Sequence, residues 1–254
     1  MANYESTFEN FNILLKKLMQ KPRENLRFSR SFVIASDIAE QFYCEKKVEL
    51  EYLHGEIETE AKNIGAEAHE NLTEVSVKVK RADLWKKIYG VKPVFALEMF
   101  LLAEYNGILL AGKPDSVLFA RGFPLVVFEY KFSKSDVDYL SYHVQTETYG
   151  LLLGNMGFDT RRLFYAIVVA DPKTKGRQEL KNQVIKKVFS NPPKETVYVI
   201  DDAKVYMKKF NRATAEEHLT WALEFWNRSR AAQPTGNLKK CGRCEYQEKC
   251  QEIE

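Results

Sequence analysis

Two carboxylates stand at equal distances from a glycine in the middle of the chain. Asp115 lies seven residues before Gly122, and Glu129 lies seven residues after it. If the chain reverses at this glycine, the two side chains face each other across an antiparallel strand pair, about 5 Å apart at Cβ. Two acids at that separation repel unless a cation lies between them. The spacing therefore predicts a divalent metal site, and hard oxygen ligands select Mg²⁺ or Mn²⁺.

Lys131 follows Glu129 with one residue between them, so period-two alternation places both side chains on one face of a strand. The apolar run Leu125–Phe128 is typical of a buried central strand that aims the charges after it into a cleft. A divalent ion there activates water and neutralises phosphate charge, while a lysine orients the water or stabilises the pentacovalent phosphate. Together with Asp115, the residues Glu129 and Lys131 predict phosphodiester hydrolysis. Without Asp115, a Glu-x-Lys pattern is also typical of an exposed ion pair.

Two helical pairs flank this hairpin in the sequence. Gly65 and His69 are one turn apart on one helix, where His69 is either a metal ligand or a satisfied core residue. Gln145 and Tyr149 are one turn apart on a later helix, so their shared face can hydrogen-bond DNA or brace the catalytic residues.

The four cysteines lie near opposite ends of the chain. Three form the pattern Cys241-x2-Cys244-x5-Cys250, and Cys44 lies about 200 residues upstream. In an intracellular chain of this length the pattern favours metal or cluster ligation over a disulfide framework. Because no second local pair exists, closing the site requires Cys44. Thiolates suit both zinc and iron–sulfur clusters, so the metal stays open at this point.

Composition sets the broad class of the protein. Its 254 residues are 45% hydrophobic and 13% aromatic, which excludes intrinsic disorder. A net charge of +3 is only mildly basic and does not by itself argue for nucleic acid. The longest apolar run, Leu163–Ala170, is too short to cross a bilayer. Glu5 and Glu9 precede any apolar stretch, unlike a signal peptide. We expect a soluble cytoplasmic protein without a membrane segment.

The element order predicts an α/β fold with a mixed sheet and helical additions. N-terminal helices, including a long one over 57–88, precede a β-meander over Val94–Lys131 with a hairpin at Asn106-Gly107. After it we expect a helix at 136–154, a strand at Leu163–Ala170, a lysine-rich connection, a short strand near Val197–Ile200 and a helix at 214–231.

The motifs together resemble the RecB-like PD-(D/E)xK nucleases, and more narrowly the CRISPR-associated exonuclease family that carries an iron–sulfur cluster. The resemblance covers about Phe32 to Cys250. It depends on motifs that are loose singly but specific in their order: Gly65-x3-His69, Gly112-Lys-Pro-Asp115, Glu129-Tyr-Lys131, Gln145-x3-Tyr149 and the four cysteines. It implies a restriction-endonuclease-like mixed central sheet flanked by helices, with the two terminal segments joined by the cluster.

The resemblance also implies an activity and its residues. It implies a Mg²⁺- or Mn²⁺-dependent exonuclease that acts on single-stranded DNA ends, works with the CRISPR integrase proteins and forms oligomers in some relatives. Asp115, Glu129 and Lys131 would be catalytic. The metal would be held by His69, Asp115, Glu129 and the Tyr130 carbonyl; Gln145 and Tyr149 would be auxiliary; and Cys44, Cys241, Cys244 and Cys250 would ligate the cluster, [4Fe-4S] rather than [2Fe-2S].

We expect four parts along the chain: an N-terminal helical extension (1–30), a helical region with the first cluster cysteine and His69 (31–90), the nuclease core (91–212) and the C-terminal helix with the cluster-binding segment (213–254). One residue departs from the pattern, since Pro114 replaces the usual hydrophobic residue before Asp115. Two alternatives stay open: a standalone DNA repair or recombination nuclease, and a non-catalytic iron–sulfur DNA-binding adaptor.

Overall fold

The computed structural model describes residues 4–20, 25–58, 81–133, 138–174, 177–189 and 193–251. The helices of the described residues, besides a short 3₁₀ turn at Arg27–Ser29, are α1 (Tyr4–Met19), α2 (Ala35–His54), α3 (Arg81–Ile88), α4 (Leu140–Asn155), α5 (Arg177–Phe189), α6 (Arg212–Trp226), α7 (Leu238–Cys241) and α8 (Gln247–Gln251). The strands are β1 (Phe32–Ile34), β2 (Val94–Leu97), β3 (Leu101–Tyr105), β4 (Ile108–Gly112), β5 (Ser116–Ala120), β6 (Phe123–Phe132), β7 (Phe164–Ala170), β8 (Thr196–Ile200) and β9 (Ala203–Lys209).

A six-stranded mixed sheet forms the centre of the fold, in the order β2-β5-β6-β7-β9-β8. Within it only the β6–β7 pair is parallel. The mixed sheet and its flanking helices confirm the predicted α/β class. The parallel neighbours β6 and β7 are joined by a connection that contains α4, as parallel pairing requires.

The predicted meander is wrong in one respect, because its strands belong to two sheets. β3 and β4 form the expected hairpin at Asn106-Gly107, where both residues have positive φ angles of 49° and 78°. However, this hairpin pairs with β1 in a separate three-stranded sheet, and β2 pairs with β5. Turn chemistry is local and visible in sequence, whereas the choice of sheet depends on packing against distant elements.

The two faces of the central sheet carry two hydrophobic clusters. One face of β6 and β7, including Val127 and Ile167, packs in the larger cluster with residues of α2, α4 and α6. The other face, including Phe128 and Val168, packs in a smaller cluster with Val184 of α5. Helix α4 lies within the larger core, since every residue from Ser141 to Leu153 except Tyr142 is buried.

Besides the short helices α7 and α8, three further elements of the described residues were not predicted. The connection predicted after β7 contains helix α5, and its lysines hid the apolar stripe of Leu180, Val184 and Val188. Strand β9 alternates buried Ala203, Val205 and Met207 with partly exposed residues, a period-two pattern present in the sequence but masked by its lysines. Strand β1 has only three residues, too few for a periodic signal.

Other expectations concern residues outside the described part. Of the helix predicted over 57–88, residues 59–80 lie outside the described residues, and α3 forms its last turns. Gly65 and His69 therefore have no described position. Among the helices of the described residues, none combines the length and the apolar character that a membrane crossing requires.

Candidate active site

The hairpin of β5 and β6 sets the position of the two predicted carboxylates. Its turn consists of Arg121 and Gly122, whose φ angles of 51° and 82° are both in the left-handed region, as in a two-residue hairpin loop. The Gly122 amide donates a hydrogen bond to the Ile88 carbonyl at 2.9 Å, which joins the turn to the end of α3.

A β-bulge in this hairpin changes which residues face each other. Near the turn Ala120 lies opposite Phe123, but farther away Ser116 lies opposite Phe128, because the register shifts by one residue between Leu118 and Phe119. A bulge of this kind leaves one extra residue on the longer strand.

The expected pairing of Asp115 with Glu129 agrees with the extended register, but the expected centre of the turn was wrong and the bulge was not expected. The reversal is centred between Arg121 and Gly122 rather than on Gly122, and an unbulged hairpin would place Asp115 opposite Phe128. The bulge restores the offset, so extending the observed register by one residue places Asp115 opposite Glu129.

Asp115 lies directly before β5, at the end of the hairpin far from the turn. Its Oδ2 accepts a hydrogen bond of 2.7 Å from the backbone amide of Tyr130 on β6. Its carbonyl accepts a bond of 3.1 Å from the amide of Glu98. These contacts fix the carboxylate against the strand that carries the other predicted residues.

Glu129 and Lys131 share one face of β6, as predicted. Lys131 Nζ donates to Glu129 Oε1 at 2.9 Å and to Gln145 Oε1 on α4 at 2.7 Å. The Glu129 side chain is 5% exposed and that of Lys131 is 21% exposed, so the amine sits where a buried strand opens towards solvent. Burial lowers the pKa of Lys131, but the carboxylates of Glu129 and Asp115 outweigh it and raise the pKa overall. The lysine is thus held as a cation.

Gln145 and Tyr149 extend this hydrogen-bond chain along α4. Gln145 Nε2 donates to the Tyr149 hydroxyl at 2.9 Å, and this hydroxyl lies 3.5 Å from the Lys113 carbonyl. Burial strongly raises the pKa of Tyr149, which keeps the hydroxyl neutral. A side chain at Gly112 would be 2.8 Å from the Tyr149 ring, so the glycine makes room for it. The structure therefore brings the predicted Gln145 and Tyr149 to Lys131.

The oxygen donors at this site suit a hard divalent ion. Asp115 and Glu129 provide carboxylates, and Tyr130, whose backbone carbonyl is the third predicted ligand, packs its side chain in the smaller core cluster. The fourth predicted ligand, His69, lies outside the described residues. Among those that are described, no group of three or more His, Cys, Asp or Glu side chains is placed to hold a metal ion.

A second lysine near this site was missed. Lys181 on α5 is 9% exposed, and burial lowers its pKa while the carboxylates of Asp115 and Glu98 act in the opposite direction. Its electrostatic interaction with Asp115 brings another cation to the hairpin from the other face of the sheet. The sequence offered no signal for it, because it is one of several lysines in a run that was predicted to be a connection.

The four cysteines line a single cavity of about 250 Å³ between α2 and the C-terminal segment. All four are free thiols of intermediate exposure. Burial raises the pKa of Cys244, and the nearby Cys44 adds to the effect. Cys44 interrupts the helical backbone of α2 with φ −166° and ψ 112°. The structure thus places Cys44 and the three C-terminal cysteines around one cavity, although the four described thiols do not form a group that could hold a metal ion as they stand.

The C-terminal segment is fastened to α2 and the residues after it. The Tyr246 side chain is fully buried, and its hydroxyl donates to the Gly55 carbonyl at 2.7 Å. Lys240 Nζ donates to the Tyr43 carbonyl at 3.1 Å. Lys47 Nζ lies 3.5 Å from a carboxylate oxygen of Glu245. The cysteine cavity is therefore framed by specific contacts between distant parts of the chain.

Comparison with known proteins identifies the family. The family model of the PD-(D/E)XK nuclease superfamily matches residues 14–251. The chain belongs to this superfamily. The letters of the superfamily's name occur here as Pro114-Asp115 and Glu129-Tyr130-Lys131. Members of the PD-(D/E)XK superfamily are nucleases, which are hydrolases.

One similar solved structure is titled "Crystal structure of SSO0001"; it has 13% sequence identity and a TM-score of 0.49, and the match covers 98% of this chain and 95% of that one. No curated protein matches the sequence.

Proposed function

We propose that this protein is a metal-dependent DNA exonuclease that acts on single-stranded ends. The observation that supports this most directly is the contact of Lys131 with both Glu129 and Gln145, beside the Asp115 carboxylate that is fixed to the same strand. Asp115, Glu129 and Lys131 are the proposed catalytic residues. Gln145 and Tyr149 are the proposed positioning residues.

A Mg²⁺ or Mn²⁺ ion is the cofactor that this site would take. Asp115, Glu129, the Tyr130 carbonyl and His69 would hold it, and it would supply an activated water and neutralise charge on the scissile phosphate. Lys131 holds its proton and presents a cation to the developing phosphorane charge. Gln145 keeps the lysine in place by accepting one of its hydrogen bonds. The buried strand behind Glu129 excludes water from that side.

Cleavage from free ends is the finer part of the proposal. The four-cysteine cavity is lined by residues from near both ends of the chain. These residues would form one wall of a channel through which a single DNA strand threads. Wild-type protein with Mn²⁺ should degrade a linear single strand at least tenfold faster than a circular one. Equal cleavage of both would contradict the exonuclease assignment while leaving nuclease activity intact.

We also propose that the cavity holds an iron–sulfur cluster that serves a structural role. Four thiols from both ends of the chain lining one cavity support it, since thiolates ligate such clusters. Protein purified without oxygen should be brown, with absorption near 400 nm that is lost in Cys44→Ser. A colourless protein with stoichiometric zinc would replace the cluster with a zinc site.

The cellular role that we propose is the trimming of DNA fragments before the CRISPR integrase proteins insert them as spacers. The resemblance of the ordered motifs, including the four cysteines, to the CRISPR-associated family supports this role, and the genes beside this one distinguish it from standalone DNA repair. We expect the protein to co-purify with integrase proteins encoded near it. A genomic neighbourhood of repair genes, with no binding to an integrase, would favour the repair alternative.

A further inference from the structure

Three tyrosines form a continuous row between the candidate active site and the cysteine cavity. Lys131 Nζ lies 5.4 Å from the ring centroid of Tyr142. Both ring pairs are edge-to-face: the centroids of Tyr142 and Tyr139 are 5.4 Å apart at an interplanar angle of 81°, and those of Tyr139 and Tyr43 are 6.3 Å apart at 66°. Tyr43 itself lines the cysteine cavity. The row therefore runs from the proposed catalytic lysine to the cysteine cavity.

Positive charge lies along the same row. At the far end, Lys240 Nζ is 4.5 Å and Lys47 Nζ is 5.5 Å from the centroid of the Tyr43 ring. Lys47 is paired with Glu40 and Glu245. Among the described residues Lys240 has no carboxylate partner, so it adds net positive charge where the row ends.

The exposure of these rings distinguishes the row from ordinary aromatic packing. Elsewhere in the fold Trp85 and Phe158 stack with ring centroids 5.4 Å apart, and they are only 1% and 4% exposed. Tyr43, Tyr139 and Tyr142 are all half-buried, so each ring is held by the fold and still reaches solvent. Tyr142 also packs against the larger core cluster, whereas Tyr139 and Tyr43 belong to neither cluster and extend the row away from the core.

Rings and cations in this combination suit one class of ligand. Proteins that bind single-stranded nucleic acid without sequence preference place bases on aromatic side chains and the phosphate backbone against lysines. The distance covered by the three rings corresponds to about three nucleotides of a strand. Duplex DNA has its bases already stacked and paired, so it cannot offer them to the rings.

We propose that Tyr142, Tyr139 and Tyr43 form a binding track for a single strand of DNA, with one end at Lys131 and the other at Lys240. The proposal rests on the proposed nuclease function, since it assigns the path that the substrate strand follows from the scissile phosphate. It adds a binding site of about three nucleotides that leads towards the cysteine cavity.

The test measures binding of a labelled 12-nucleotide single strand by fluorescence anisotropy, with divalent metal chelated so that cleavage cannot interfere. Tyr139→Ala and Tyr43→Ala should each raise the Kd by about fivefold to a hundredfold, because each removes one base-stacking ring. Tyr139→Phe should retain most of the affinity. The Tyr139 side chain makes no capping bond at the start of α4, so the alanine variant keeps this helix end.

Tyr198→Ala is the matched control. Tyr198 is also a partly buried tyrosine, with Lys187 Nζ 5.6 Å from its ring centroid, but it lies on the edge strand β8. Its Kd should stay within twofold of wild type. Unchanged affinity in both row variants, or an equal loss in the control, would overturn the track.

A lysine variant tests the proposed binding track if the tyrosine variants fail to fold. Lys240→Ala should weaken binding and reduce its salt dependence, whereas Lys239→Ala, at the adjacent exposed lysine, should have a smaller effect. Equal effects would overturn the track.

Cleavage by the wild type is measured separately with Mn²⁺. Binding through the row without any cleavage would reject the proposed nuclease function alone, and cleavage with an unaffected Kd in the row variants would reject the track alone.

Discussion

Lys131 connects the two elements that build the candidate site. Its amine contacts the Glu129 carboxylate on its own strand and the Gln145 amide oxygen on α4, at 2.9 and 2.7 Å. The acceptor at Gln145 is in turn oriented by Tyr149, which accepts from the other end of the same amide. A chain of buried hydrogen bonds of this kind fixes the lysine in one direction.

Tyr149→Phe tests this chain at the scale of one atom. Removal of the hydroxyl leaves the buried Gln145 amide nitrogen without its acceptor, so we expect a loss of about 1–3 kcal/mol in the free energy of unfolding. The kcat for DNA cleavage should fall with little change in KM, because the strand is not bound by this hydroxyl. Urea unfolding and steady-state kinetics measure both. Tyr105→Phe, whose exposed hydroxyl contacts Thr220 at 3.5 Å, should change neither; a Tyr149→Phe protein equal to wild type would refute the chain.

At the scale of elements, α4 must pack closely on β4 for its polar residues to reach β6. The closeness depends on Gly112, where an added Cβ would lie 2.8 Å from the Tyr149 ring and 2.9 Å from Leu152. Such overlap forces the helix or the ring to move.

Gly112→Ala should therefore destabilise the fold by about 1–3 kcal/mol and reduce cleavage, since the ring that orients Gln145 is displaced. Gly236→Ala is the control, because nothing lies within 4 Å of the added Cβ. Thermal unfolding and activity of both variants would decide the point. Equal behaviour of the two variants would contradict the packing argument.

A histidine on the same helix makes stability depend on pH. Burial lowers the pKa of His143 from 6.5, although the Asp138 carboxylate 2.5 Å from Nε2 opposes the shift. The unfolded chain therefore takes up a proton that the folded chain does not. The free energy of unfolding should fall as pH decreases below about 6.5, by up to about 1.4 kcal/mol per pH unit until the folded-state pKa is reached.

His143→Gln should remove this part of the pH dependence, and urea titrations at several pH values would measure it. His54→Gln, at an exposed histidine that ends α2, should retain the wild-type profile. If His143→Gln loses stability below pH 6.5 as steeply as wild type, then another group is responsible.

The elements also show what the sequence could predict. The Asn106-Gly107 hairpin and the polar end of β6 follow from local turn chemistry and period-two alternation, and both were predicted. The bulge near Leu118 and the division of the strands into two sheets depend on long-range packing, for which the local sequence has no signal. The pairing of Asp115 with Glu129 was nevertheless predicted, because two deviations from the assumed hairpin cancel. The turn is centred half a residue before Gly122, and the bulge adds one residue to β6.

At the scale of the whole molecule, a buried ion pair joins the two ends of the chain. The Glu45 carboxylate on α2 is held by Arg230, with Nη2 2.9 Å from Oε1, and by the Gln233 amide at 2.8 Å. The Glu45 side chain is fully buried and that of Arg230 is 16% exposed. This pair lies just before the C-terminal cysteines, so it sets where they meet Cys44. Nothing in the sequence pattern marks Glu45 and Arg230 as partners.

Arg230→Ala should cost about 3–5 kcal/mol of unfolding free energy, because it leaves the Glu45 carboxylate buried without a counter-charge. It should also release the proposed iron–sulfur cluster more readily. Arg161→Ala removes an ion pair whose arginine is 87% exposed, and it should cost far less unfolding free energy than Arg230→Ala, because solvent screens an exposed pair. Equal costs in the two variants would show that the Glu45 pair does not fasten the C-terminal segment.

The most direct measurement is the rate of cleavage of a linear single strand as a function of Mn²⁺ concentration, for wild type, Asp115→Asn and Lys131→Met. We predict saturable metal dependence in the wild type and rates at least about a thousandfold lower in both variants, while the Kd of Asp115→Asn for the strand without metal stays within twofold of wild type. Cleavage that needs no metal, or that persists undiminished in Asp115→Asn, would contradict the account.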